Sequence, residues 1–311
     1  MSTTIVTKNP THRAGRQRSR RGGSRYTLAA FIAPAYIFLA ISLILPVLNN
    51  VWNSFFDVNN KTVLTGKAPF VGAANYSALT EDGELQKAIA TTLIFVFANV
   101  VLQYVLGFAL ALWFNRRFPG AGWQRGLLIL ALMQPPIVTG VIFKWILDGH
   151  YGVLNAALRG LGMIHQDINW LSDPRWALIC VILMNVWVGT PFTITLLVAG
   201  LKSLPSSVYE AAEVDGASVS QRFWYVTFPM MRPVSFTALI LSAVYTFKVF
   251  DLVYVSTAGG PGDSTRLMTV MLYDLSFHFF RFGEGAAAAN ILIAMPLALA
   301  ALYAYVTRRE N

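Results

Sequence analysis

Residues 204–233 read LPSSVYEAAEVDGASVSQRFWYVTFPMMRP, the longest non-apolar interruption between two strongly apolar runs in the C-terminal half. The stretch carries the signals of two short helices joined at Gly216. Ser207 stands three residues before Glu210, and Ser218 three before Gln221, so each helix opens with the spacing of a capping box. Gly216 supplies a left-handed stop for the first helix, and Pro229 and Pro233 end the second. A polar helix pair between apolar runs needs something to dock onto.

Composition says where the pair sits. The chain has 311 residues, of which 55% are hydrophobic and 13% charged, and its mean hydropathy is +0.53. Soluble domains carry about 25% charged residues, so the usual solvated surface is missing. This is a membrane protein. Its formal net charge of +9 does not point to nucleic acid, because seven Lys and Arg crowd into residues 1–25, a tail without acids and with Gly and Ser. That tail reads as disordered, and either contacts anionic lipid headgroups or only sets topology. Cys180 is the only cysteine, which excludes a disulfide within the chain and a thiolate metal site.

Six apolar runs are long enough to span the membrane as helices: 26–48, 89–114, 126–147, 176–201, 234–256 and 286–305. The first is too long for a signal-peptide core and reads as a retained anchor. No internal repeat is evident. The organisation expected is the basic tail at 1–25, then a six-helix domain over 26–307 that includes the 204–233 loop. Fifteen Lys and Arg fall in the tail, the connections 115–125 and 202–233, and the C-terminus, against seven in the longer connections 49–88, 148–175 and 257–285. The positive-inside rule then puts both termini and the helix pair in the cytoplasm. Pro34, Pro46, Pro135–Pro136, Pro191 and Pro296 fall inside four of the runs and predict kinks, which suits a bundle enclosing a cavity.

Polar residues inside a span are costly in lipid and should face the bundle interior. Lys248 and Asp251 are three apart on one helical face, which predicts an internal ion pair, and Lys144 is placed to snorkel outward. Asn185, Gly189 and Phe192 share a face of the fourth run at i, i+4, i+7, and Ser242, Tyr245, Thr246 and Val249 share one on the fifth. Amides and hydroxyls mixed with rings suit a polyhydroxylated solute, and they equally suit interhelical packing. No catalytic constellation appears: His12, His150, His165 and His278 are scattered, and no P-loop, zincin or nucleophile-elbow motif is present.

Glu210-Ala211-Ala212-Glu213-Val214-Asp215-Gly216, nine residues, then Val226-Thr227-Phe228-Pro229 resembles the EAA loop of binding-protein-dependent ABC importer permeases. That family's pattern is E-A-A-x-x-x-G, nine residues, I-x-L-P; Val226 and Phe228 depart from it conservatively. Phe247–Asp251, Thr257–Thr265, Phe70–Tyr76 and Tyr151–Asn155 resemble the carbohydrate-uptake permeases of the MalF/UgpA type, and the resemblance covers nearly all of 26–307.

The resemblance implies an all-α type I importer permease with six transmembrane helices, in the inner membrane of a bacterium. It implies a second related permease subunit, two ATP-hydrolysing subunits that hold ATP and Mg, and an extracytoplasmic solute-binding protein, with lipid around the spans. No nucleic-acid partner and no cofactor or metal of its own is expected. The coupling helix would be Ser207–Gly216, with Glu210 pairing with a basic group of the ATPase subunit and Ala211 and Ala212 kept small to enter its cleft. Asp215 lies within the motif, Gly216 would form the bend, and Pro229 would fix the exit into the fifth span. Alternatives are import of a polyol, sugar phosphate or other anionic sugar, and a membrane scaffold that translocates nothing.

Overall fold

The computed structural model describes residues 23–116 and 120–310, so the basic tail and its expected lipid contact lie outside the description apart from residues 23–25. Among the described residues no strand forms, and two isolated bridges, Phe56–Phe70 and Asn59–Arg281, are the only β pairing. The chain divides into two units, Met1–Asn49 and Asn50–Asn311.

Helix α1 (Gly23–Leu39), in the first unit, runs through Pro34 and passes by a π-helical turn, Ala40–Ile44, into α2 (Leu45–Asn53), within which the unit boundary falls. The wide turn has a local cause. A proline ring at 46 would collide with the carbonyl of residue 42 in an unbroken α-helix, and stepping to an i→i−5 bond, Leu45 N–H to the Ala40 carbonyl, opens the turn just before it.

The second unit is built around α3 (Glu84–Phe114), with α4 (Ala121–Leu132) and α5 (Pro136–Ile146) following it. Next come α6 (Pro174–Ser203), α7 (Ser206–Val214) and α8 (Val219–Arg222). The chain continues through α9 (Arg232–Phe247), α10 (Asp251–Thr257), α11 (Met268–Tyr273) and α12 (Phe282–Glu310). Among the described residues four helices are long and apolar enough to cross a bilayer alone: Ala29–Asn53, Glu84–Phe114, Pro174–Ser203 and Phe282–Tyr305. The number reaches six when two bent pairs are counted as spans.

Two of the expected apolar runs are bent or broken within their length. In the run 126–147 the kink expected at Pro135–Pro136 is a 96° bend between α4 and α5. Consecutive prolines impose this: Pro135 precedes a proline, is pushed into extended backbone (ψ 134°), and Pro136 opens a new helix. The run 234–256 is also broken, α9 ending at Phe247 and α10 starting at Asp251. There Lys248 and Val249 close tighter i→i−3 bonds to Tyr245 and Thr246, and the Val249 carbonyl is captured by the Thr269 hydroxyl at 2.7 Å. By contrast α6 and α12 continue as single elements through Pro191 and Pro296.

Lipid tails are as apolar as leucine, so close packing and buried hydrogen bonds hold such a bundle more than hydrophobic transfer does. Helices α3 and α6 lie along each other at small residues. A Cβ on Gly107 would sit 2.8 Å from Thr193 Cγ2, and one on Gly189 2.4 Å from Gln103 Nε2. Helix α9 closes on both: Tyr104 Oη donates to Ser235 Oγ at 2.8 Å, Thr193 and Ser242 hydroxyls meet at 3.3 Å, and Val234 fills the space at Gly200. Phe108, Ala111, Leu197, Leu201, Met231 and Ala238 form one apolar core, and Phe95, Val181, Met184, Leu252, Val253 and Val270 belong to another.

Candidate functional site

The polar helix pair has the expected joint and an unexpected start. Helix α7 ends at Val214 with Asp215 as its cap, and Gly216 takes φ +72°. Gly216 N–H donates to the Glu213 carbonyl at 3.1 Å and Ala217 N–H to the Ala212 carbonyl at 2.9 Å, the two bonds of a Schellman stop. A Cβ on Gly216 would meet nothing within 4 Å, so the backbone angle, not space, calls for glycine. At the other end Pro205 occupies the cap position with no side-chain bond, which corrects the capping box at Ser207 and the reading of Glu210 as its partner. Helix α7 starts two residues earlier than that spacing requires, so Ser207 is already inside it. The box at Ser218 does form: Gln221 N–H donates to Ser218 Oγ at 3.3 Å, and Ser218 N–H to Gln221 Oε1 at 2.8 Å.

Pro229 does not end the second arm. A π-helical turn, Phe223–Thr227, precedes it as one precedes Pro46, with Phe228 N–H bonded to the Phe223 carbonyl. The helical stretch continues to Met230, and the 65° bend falls between Met230 and Arg232, with Pro233 in the first turn of α9. The arms are tied by Tyr209 to Thr227 (hydroxyls 3.0 Å apart) and by Arg222 to Glu213 at 3.8 Å. Glu210, Ala211, Asp215 and Gly216 are exposed, and Ala212 and Pro229 half-buried. No ion pair within the described residues involves Glu210. Val214 (88% exposed), Val219 (70%) and Tyr225 (80%) surround the joint, more apolar surface than a solvated helix pair normally shows.

The second set of residues converges on a cavity of ≈ 400 Å³. Asn185, Gly189 and Phe192 line it from α6, Ser242, Tyr245 and Thr246 from α9, and Lys248 from the end of α9. Val249 lines it too, so the two faces picked out by spacing share one space with Lys248. Phe192 and Tyr245 meet edge to face with centroids 5.4 Å apart, and the Thr246 hydroxyl donates to the Ser242 carbonyl at 2.7 Å. Lys248 departs from its expected pairing. Its ammonium lies 4.8 Å from the Tyr245 ring centroid, and no ion pair to Asp251 forms, because the helix carrying both residues breaks between them. Asp251 also lines the cavity.

Two residues of α3 escaped the sequence reading. Gln103 lines the cavity, and Asn99 lies behind it; both are buried and bonded to Asn185. Their i, i+4 spacing inside an apolar run is the same signal that marks Asn185 and Gly189. Lys144 is exposed and reaches the Val255 carbonyl at 3.4 Å. Asp148, four residues on, instead accepts the N–H groups of Tyr151 and His150, which hold its carboxyl below the ordinary value.

Comparison with known proteins places this architecture. Residues 103–310 match the family described as binding-protein-dependent transport system inner membrane component. The sulfoquinovosyl glycerol transport system permease protein SmoG of Agrobacterium fabrum is 32% identical over 289 residues, covering 93% of this chain and 92% of that one. The trehalose/maltose transport system permease protein MalF of Thermococcus litoralis is 32% identical over 280 residues, covering 89% and 92%. Among solved structures, a bacterial ABC transporter that imports the acidic polysaccharide alginate superposes with a TM-score of 0.79 at 20% identity, covering 92% of this chain and 96% of that one. The chain belongs to the binding-protein-dependent inner membrane components: it is a multi-pass permease subunit of an ABC importer, not the subunit that hydrolyses ATP.

Proposed function

We propose that this permease moves a carbohydrate through the cavity between α3, α6 and α9, driven by partner ATPase subunits docked on the α7–α8 pair. One observation carries the reading. Helix α9 joins the two places directly, beginning at the bend that ends the helix pair and reaching the cavity with Ser242, Tyr245 and Thr246 on its last turns. The lining supports a sugar: amides and hydroxyls for its hydroxyl groups, and the Phe192 and Tyr245 rings for its C–H faces. Relatives named for trehalose and maltose, lactose and sulfoquinovosyl glycerol support the same class.

In this mechanism a solute-binding protein delivers the sugar from outside, and a second permease subunit completes the pathway. ATP and Mg are held by the ATPase pair, whose closure pushes on Glu210, Ala211, Ala212 and Asp215. The Gly216 joint and the bend after Pro229 pass the displacement to α9, and the bundle rocks between inward- and outward-facing states. Both termini and the helix pair face the cytoplasm.

Uptake by the complete importer in proteoliposomes tests this. ATP-dependent uptake of a sugar is expected, with KM raised about tenfold in Asn185→Ala through loss of a polar contact. Glu210→Ala and Gly216→Pro are expected to insert and assemble yet to separate ATP hydrolysis from uptake. Normal transport by both would refute the coupling role. A second reading, an anionic sugar, is favoured by the Lys248 ammonium, which faces a ring instead of a carboxylate. Lys248→Gln should then impair uptake of an anionic sugar such as sulfoquinovosyl glycerol and spare neutral ones.

A further inference from the structure

The cavity wall formed by α3 and α6 is lined by side-chain amides, and an amide has a donor end and an acceptor end. Which end faces the solute decides what the wall can read. We propose that Asn99, which does not line the cavity, sets that polarity, so that the wall presents acceptors and reads the hydroxyl donors of the solute. The proposal rests on the reading of this cavity as the solute site.

The hydrogen bonds run in one direction. Asn99 Nδ2 donates to the Phe95 carbonyl at 2.8 Å. A backbone carbonyl can only accept, so this bond fixes the amide of Asn99 and leaves its Oδ1 to face α6. That oxygen receives Asn185 Nδ2 at 2.9 Å and Gln103 Nε2 at 3.4 Å, and Gln103 Nε2 also donates to the Asn185 carbonyl at 3.2 Å. Both lining amides thus spend their nitrogens inward. Among the described residues Asn185 Oδ1 and Gln103 Oε1 accept nothing, and neither is sealed away from solvent, while both residues line the cavity. Gly189 makes room for this arrangement, since a Cβ there would lie 2.4 to 2.6 Å from the Gln103 amide atoms.

Elsewhere on the lining stands a donor, the Lys248 ammonium over Tyr245. The two walls therefore orient the solute. Hydroxyl hydrogens point at Asn185 and Gln103, and acceptor-rich or anionic substituents point at Lys248. The same orientation holds for a neutral and for an anionic sugar, because two amide oxygens repel a sulfonate or carboxylate as they attract a hydroxyl.

Replacing a sugar hydroxyl by fluorine removes the donor at nearly constant size, which gives a direct test. Common mono- and disaccharides, polyols and uronides are offered to the reconstituted importer, and a transported one is compared with its monodeoxyfluoro derivatives. With the native chain, fluorine at one or two positions should raise KM about tenfold, the worth of one hydrogen bond. Asn99→Leu frees the Asn185 amide to turn its NH₂ outward, so the ratio of the two KM values should fall toward one. Asn99→Asp still accepts from both amides and should keep the ratio. A merely structural role for Asn99 would raise both KM values together and leave the ratio unchanged. Should Asn99→Leu not assemble, Asn99→Ser serves instead, because its rotating hydroxyl fixes no polarity and should also lower the ratio. An unchanged ratio in the assembled variant, with KM raised in Asn185→Ala, would overturn the polarity role and leave the cavity as the solute site. Indifference of uptake to every cavity substitution, or uptake of no member of the panel, would overturn both.

Discussion

Gly107 and Gly216 are glycines for different reasons. At Gly216 the backbone angle is left-handed and space is open; at Gly107 the backbone is helical and the neighbour is close. A Cβ at 107 would meet Thr193 Cγ2 at 2.8 Å and Cβ at 3.1 Å, atoms next to a backbone that cannot turn away as a long side chain would. Gly107→Ala should therefore push α3 from α6 and destabilise by about 1–3 kcal/mol, despite alanine's better helix propensity. The midpoint of thermal unfolding of the purified importer should drop by several degrees; an unaltered midpoint would mean that the two helices separate without cost. At this scale the cavity was legible in the sequence because α6 and the body of α9 keep a regular 3.6-residue period. The pairing of Lys248 was not, since it depended on that period continuing past Phe247, where it stops.

Among the elements, two π-helical turns stand immediately before prolines, Ala40–Ile44 before Pro46 and Phe223–Thr227 before Pro229. In each the wide turn removes the clash that a proline ring makes with the carbonyl four residues back. Pro229→Ala removes the reason for the second one. The turn should then close to regular α geometry, rotate Tyr225 and Trp224 relative to α9, and weaken the link between hydrolysis and uptake while hydrolysis itself persists. Solute-stimulated ATPase activity equal to that of the native chain would count against this. Sequence announced the kink at Pro135–Pro136 but not its 96°, and it gave no warning at Lys248–Phe250, which contain neither glycine nor proline. That break is held by Thr269, 20 residues from Val249 along the chain, so no local pattern encodes it.

For the whole molecule, the proposed orientation rests on charge asymmetry alone and is open to direct measurement. Cys180 is buried, so single-cysteine reporters can be added over a low background. Tyr151→Cys, at a site 93% exposed, should react with a membrane-impermeant maleimide on spheroplasts, and Val214→Cys only on inverted vesicles. The opposite pattern would reverse the assignment of sides. Helix α9 adds a consequence for how such a protein can vary. Its first turn is set by the bend after Met230 and its last turns by the cavity, with unbroken helix between them. Inserting one residue would advance the far end by about 1.5 Å and turn it by about 100°, swinging Ser242 and Thr246 off the cavity. On the proposed solute site, substitutions along α9 would retune what is carried, whereas a change in its length resets the phase between the two ends. A repertoire read by that site would then be free to drift in side chains but locked in residue count.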